Sequence, residues 1–146
     1  MTTESRPVSL VSGGGDTLHA FGEQVTFHLV GAQTGGKFDG DYSTRWRTTV
    51  HLHLNEDELF VAREGTVAFF SDGQWHDLGP GGVAFISRES VHTFTNTGDA
   101  PSRMPIETSP VGFETFFARC AQEFAAPGDP ICSVLSASPS NTGSIF

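Results

Sequence analysis

The stretch His51–Gly65, HLHLNEDELFVAREG, decides the fold through its alternation. His51 and His53 stand two apart in the run TTVHLHL (48–54), so on an extended strand both imidazoles leave the same face. A tight polar turn follows. Glu58, Phe60 and Ala62 then share one face of the next run, ELFVARE (58–64). Strand, turn and strand, with no helical period between them, is the unit of antiparallel β structure.

The same unit repeats outward. EQVTFHLVG (23–31), GTVAFFS (65–71), VAFIS (83–87) and VHTFTN (91–96) are equally short and rich in Val, Phe and Thr. Glycine-containing breaks separate the runs: GAQTGGKFDGD (31–41), REG (63–65), SDGQ (71–74) and GPGG (79–82). Closely spaced strands without intervening helices predict an all-β sandwich or barrel. One segment departs from this pattern. Phe113, Phe116, Phe117, Cys120, Ala121 and Phe124 form the i, i+3, i+4, i+7 stripe of an amphipathic helix over 113–126, with Pro110 just before it. This helix is expected on the outside of the barrel or in a dimer contact. The organisation expected is an N-terminal strand and loop (1–20), a barrel plus C-terminal helix (21–126) and a Ser/Pro-rich tail (127–146).

Composition bounds the rest. With 146 residues and 15.6 kDa, the chain has room for one modest core. The 17 Gly and 8 Pro agree with many turns, and 13 Phe supply ample core material. The net charge of −9, with Lys37 the one lysine, opposes binding to nucleic acid or to an anionic membrane surface. No apolar run approaches the length of a membrane span. MTTESRPVSL has neither the basic start nor the apolar stretch of a secretory signal, and two cysteines are too few for a disulfide framework. The expectation is a cytoplasmic protein with reduced thiols.

His92 opens a strand after the GPGG turn and joins His51, His53 and Glu58 in a mixed nitrogen and oxygen set. Three neutral imidazoles with one carboxylate suit one divalent transition metal ion, whether Fe, Ni, Mn, Co, Cu or Zn. One or two coordination positions would stay open to water, substrate or dioxygen. Glu56 and Asp57 are the competing carboxylates; the parity of Asp57 opposes that of Glu58, which makes it a solvated turn residue. His76 reads as an exposed strand residue, and His19 and His28 as structural. The run GGGD lacks the following Lys-Ser/Thr of a phosphate cradle.

At these residues the chain resembles the cupin family. The first family motif, G-x5-H-x-H-x3,4-E-x6-G, is matched by His51, His53, Glu58 and Gly65, without its leading glycine in the usual place. The second, G-x5-P-x-G-x2-H-x3-N, is matched by Gly81, His92 and Asn96, with Ser87 in place of the proline and Glu89 in place of the inner glycine. The resemblance runs over roughly 22–118 and is similar in flavour to small single-domain bacterial quercetin 2,3-dioxygenases. It implies a jelly-roll β-barrel, often a homodimer, with a mononuclear metal held by His51, His53, Glu58 and His92. It also implies a dioxygenase for a small aromatic or enolic molecule, in which Glu58 accepts the substrate's hydroxyl proton.

Two rival readings use the same barrel. One is a non-oxidative cyclase, isomerase or lyase; the other is a cup that binds a small molecule without turnover. Phe60, Val67, Phe69 and Phe94 are candidates to line the pocket, with core packing as the plainer role. An unbulged strand puts Thr49, Arg47 and Arg45 on the ligand side, where Arg47 pairs with an anionic substrate, or else on a bent edge facing water. Glu89 reads as a charged turn residue rather than an acid behind the ligands.

Overall fold

A computed structural model describes residues 7–11, 13–20, 23–37, 39–44, 50–125 and 144–145. The strands are β1 (Asp16–Ala20), β2 (Glu23–Phe27), β3 (Asp39–Thr44), β4 (Leu52–His53), β5 (Asp57–Val61) and β6 (Val67–Ser71). After them come β7 (Gln74–Leu78), β8 (Val83–Ile86), β9 (His92–Asn96), β10 (Met104–Ser109) and β11 (Ser144–Ile145). The described residues also hold two helices, the single turn α1 (Gly31–Thr34) and α2 (Phe113–Ala125).

A six-stranded sheet runs in the order β1-β2-β3-β10-β5-β8 and a three-stranded sheet in the order β7-β6-β9, with every pairing antiparallel. Between them lies the main core of Phe60, Val67, Phe69, Ile86, Phe94, Met104 and Ile106. The strands bury alternate residues, so a β-branched or aromatic side chain on the inner face is removed from water while its neighbour stays outside. Along β5, Glu58 and Phe60 are buried while Asp57, Leu59 and Val61 are only partly so. This is the all-β architecture expected from the strand pattern, in the jelly-roll form that the family resemblance implies.

The predicted helix is α2. Phe116, Phe117 and Cys120 of its apolar stripe are buried against Ala20, Val25 and Phe27, so it packs on the face of β1 and β2 that carries those residues. Each buried Phe adds roughly 1.5–3 kcal/mol of transfer free energy. Burial pushes the Cys120 thiol up to about 11, which keeps it protonated.

The structure also adds elements. The glycine-rich break 31–41 holds α1 and the start of β3, and Met104–Ser109 forms β10, inside a stretch the sequence pattern did not resolve into a strand. β3 pairs with β2 and β10 at once, and β10 with β3 and β5, so neighbours on both sides hold segments whose own β preference is weak. β1 pairs with β2 along its whole length, so residues 16–20 belong to the six-stranded sheet. Most of the 127–146 tail lies outside the described residues, but Ser144 and Ile145 pair with His53 and Leu52.

Candidate metal centre

Four buried side chains converge from four segments: His51 just before β4, His53 on β4, Glu58 on β5 and His92 at the start of β9. Backbone pairing sets their places. His51 and His92 form an isolated antiparallel bridge, His51 N–H donating to His92 O at 3.0 Å and His92 N–H to His51 O at 2.9 Å. The register then brings the rings together, with centroids 4.3 Å apart for His51 and His92 and 5.0 Å apart for His51 and His53. His92 Nε2 lies 2.8 Å from Glu58 Oε2, and His53 Nε2 lies 3.3 Å from Glu58 Oε1. One potential ligand atom from each residue falls within 4.8 Å of the others.

These distances bring the imidazoles and the carboxylate together in a fully buried site. His53 Nε2, His92 Nε2 and Glu58 Oε2 are fully buried and satisfy no hydrogen bond among the described residues. Buried polar atoms left so are costly, about 1–3 kcal/mol each. Lone pairs that converge on one point, rather than on each other, are what a cation needs. The donor set of three imidazoles and a carboxylate fits a divalent first-row transition ion. The other nitrogen of His92 is already committed, since Nδ1 lies 2.9 Å from Ser90 O. Donation of the Nδ1 proton to that carbonyl leaves Nε2 as the ligand nitrogen.

The electrostatics agree. Complete burial alone would raise the Glu58 carboxyl, but His53 and His92 beside it outweigh burial and hold it well below the usual carboxylate range. For His92, burial works against protonation, and Glu58 together with the Ser90 carbonyl overcomes it to raise the pKa. The site stabilises positive charge at its centre, whether proton or metal.

Residues 42–108 match the family model described as a cupin domain. The fold is a cupin fold. Solved structures agree. KdgF from Halomonas sp. is 16% identical at a TM-score of 0.62, over 72% of this chain and 96% of that one. A Cupin 2 conserved barrel domain protein from Salinispora arenicola is 16% identical at a TM-score of 0.57, over 80% and 98%. A sugar phosphate isomerase of the cupin superfamily from Silicibacter pomeroyi is 22% identical at 0.53, and the match spans 60% of this chain and only 59% of the isomerase. No curated protein matches the chain in sequence.

Within the cupin barrel, the aromatic candidates form the layer below the histidines. Phe60 packs at 4.7 Å from Phe69 and 5.8 Å from Phe94, ring centroid to centroid, and its ring is 6.1 Å from that of His92. All three are buried in the core, with Val67 beside them. Arg47, Arg45 and Thr49 lie outside the described residues. His76 and His19 are exposed and His28 is partly buried, away from the cluster.

Two turn residues near the ligands behave differently from one another. Glu89 is exposed and takes φ 65°, the left-handed conformation for which glycine is suited, while its N–H donates to His53 O at 2.6 Å. It is a turn residue, as its sequence position implies. Asp57 does face away from Glu58, but it opens β5 rather than a free turn. Its carboxylate takes bonds from the Arg88 N–H at 2.9 Å and from the Arg88 guanidinium at 2.8 and 3.1 Å. That fork ties the segment before His92 to the strand carrying Glu58. Two neighbours of His53 take places that the sequence reading did not assign them, Phe113 and the competing carboxylate Glu56. Phe113, counted only in the helix stripe, stands edge-on at 5.5 Å, and Glu56 is buried behind the ring.

Proposed function

We propose that the chain is a metal-dependent cupin enzyme, a dioxygenase of the quercetinase type acting on a small aromatic or enolic molecule. The observation that carries the metal dependence is the set of buried, unsatisfied donor atoms of His53, His92 and Glu58 converging with His51. A bound divalent transition metal would supply Lewis-acid stabilisation of a substrate oxyanion and, with a redox-capable ion, access to dioxygen chemistry. The chain's own residues supply the rest. Glu58, kept ionised between two imidazoles, is the group to accept a proton from the substrate hydroxyl. Phe60, Phe69 and Phe94 close the bottom of the cup to water. Ser90 O fixes the ring of His92.

The reading includes a homodimer in the cytoplasm. Exposed apolar residues on β8, Val83 and Phe85 (64% exposed), support an interface there. No described helix is long and apolar enough to cross a membrane.

Elemental analysis of wild type beside His51→Ala, after expression with several metals supplied, tests the site, and oxygen uptake with a flavonol tests the reaction. The expected result is about one redox-capable ion per wild-type chain, lost in the variant, with uptake on adding flavonol. Stoichiometric zinc under every condition, with no uptake, overturns the dioxygenase in favour of a cyclase, isomerase or lyase. No metal at all leaves only the binding cup.

A further inference from the structure

The turn that delivers His92 is built from residues with little stiffness of their own. Ser87, Arg88, Glu89 and Ser90 include neither a proline to fix a backbone angle nor a glycine to take the left-handed one. Glu89 stands at φ 65° all the same, where a β-carbon is strained. Inside the turn, the Ser90 N–H donates to Ser87 O at 3.2 Å, and the two serine hydroxyls lie 2.9 Å apart. These are local bonds. They close the loop but do not fix where it stands relative to the other ligands.

The anchors lie on other strands. Asp57 Oδ1 accepts the Arg88 backbone N–H at 2.9 Å and Arg88 Nε at 3.1 Å, and Asp57 Oδ2 accepts the far end of the guanidinium at 2.8 Å. The Glu89 N–H donates to His53 O at 2.6 Å. One turn is thereby tied to β5 beside Glu58 and to β4 at His53. Its last residue, Ser90, presents the carbonyl that lies 2.9 Å from His92 Nδ1. A continuous path runs from Asp57 through Arg88 and Ser90 to the far nitrogen of a candidate ligand. Arg88 and Asp57 are 47% and 32% exposed, and an ion pair so placed adds little stability. Three bonds to one carboxylate do fix direction and distance, because a planar guanidinium and a backbone N–H together leave the acceptor one arrangement. What the pair contributes is geometry.

We propose that Asp57 and Arg88 are positioning residues of the metal centre: their fork sets the 87–90 turn, so that the Ser90 carbonyl takes the His92 Nδ1 proton and Nε2 is aimed at the ion. This rests on the metal-centre reading and deepens it by assigning two surface residues outside the ligand set. Neither touches substrate or ion in this role.

The test compares the full chain as wild type, Asp57→Ala, Asp57→Asn, Arg88→Ala and the double variant Asp57→Ala/Arg88→Ala. All are stripped of metal and titrated with Co2+ against a competing chelator, and imidazole NMR of the zinc-loaded proteins follows the His92 Nδ1 proton. Co2+ affinity should fall about three- to tenfold in Asp57→Ala, short of the roughly 10–100-fold for a group that touches a ligand directly. The His92 Nδ1 proton should move upfield. Arg88→Ala keeps its backbone N–H on Asp57 and should lose less, and Asp57→Asn keeps Oδ1 as an acceptor and should recover part of the affinity. The double variant should lose no more than Asp57→Ala, since both residues serve one interaction. A pair that only stabilises the fold would lower the melting temperature, with Co2+ affinities within twofold and the His92 resonance in place. That result overturns the proposal and leaves the metal centre standing. Additive losses in the double variant overturn it as well, because the two residues would then act separately. If wild type takes up no Co2+, the metal centre itself fails and the inference falls with it. Should Asp57→Ala not fold, Arg88→Ala decides by the same two readouts.

Discussion

His51 and His92 hold each other by the main chain, exchanging two N–H···O=C bonds of 3.0 and 2.9 Å while their rings stand 4.3 Å apart. The ligand pair is thus placed by a β-bridge that does not depend on either imidazole. His51→Ala should therefore fold and melt with a loss of only about 1 kcal/mol, an ordinary substitution cost. Its metal content should fall at least tenfold. Melting curves read beside elemental analysis check this. A variant that unfolds outright would show that the ring, not the bridge, holds the segment.

Asp57 and Arg88 give a pH signature. The bonds from Arg88 hold the Asp57 carboxyl at about 2, below its ordinary 3.8. A depressed carboxyl stabilises the folded state above its unfolded pKa, and that stabilisation is lost as pH falls through the folded value. The gap between wild type and Asp57→Asn should be full above about pH 4 and gone near pH 2. Both groups are substantially exposed, so its size at neutral pH should not exceed about 1 kcal/mol. Chemical denaturation at several pH values measures it.

Glu89 occupies a left-handed turn at φ 65° with its side chain exposed. A residue with a Cβ spends about 1 kcal/mol or more to be there, and glycine does not. Glu89→Gly should raise stability by about 1 kcal/mol, less the added freedom of the unfolded chain. That corresponds to a melting point about 3 °C higher. No rise would show that the turn is held by interactions of the glutamate itself.

Thr108 is paired across the sheet with Glu58, and its buried hydroxyl has no partner among the described residues. Replacement by valine keeps the shape and removes an unsatisfied group, so the metal-free protein should be as stable or up to about 1 kcal/mol more stable. If the hydroxyl meets the substrate, Thr108→Val should raise KM and leave kcat nearly unchanged. Steady-state kinetics on a substrate found by oxygen uptake separates these.

Much of this was legible in the alternation of polar and apolar residues. His51 and His53 share a face, Glu58 and Phe60 share the facing one, and 113–125 repeats with the period of a helix; each of these follows from local geometry alone. What was not legible depended on neighbours distant in sequence. β3 and β10 carry weak strand signals and exist because strands on either side complete their hydrogen bonds. Glu56 was legible only as a competing carboxylate beside Glu58; that it is buried on the Nδ1 side of His53 depends on the turn between β4 and β5. Arg47 stays a sequence-level candidate, outside the described residues.

The pairing of β11 with β4 bears on how the protein should be handled. Ser144 and Ile145 run alongside Leu52 and His53, so this segment lies next to a strand that carries a candidate ligand. A polyhistidine purification tag placed there would offer rival imidazoles at high local concentration, and it would distort both metal stoichiometry and any spectroscopic titration. The tag belongs at the other terminus, with its removal verified before metal is added.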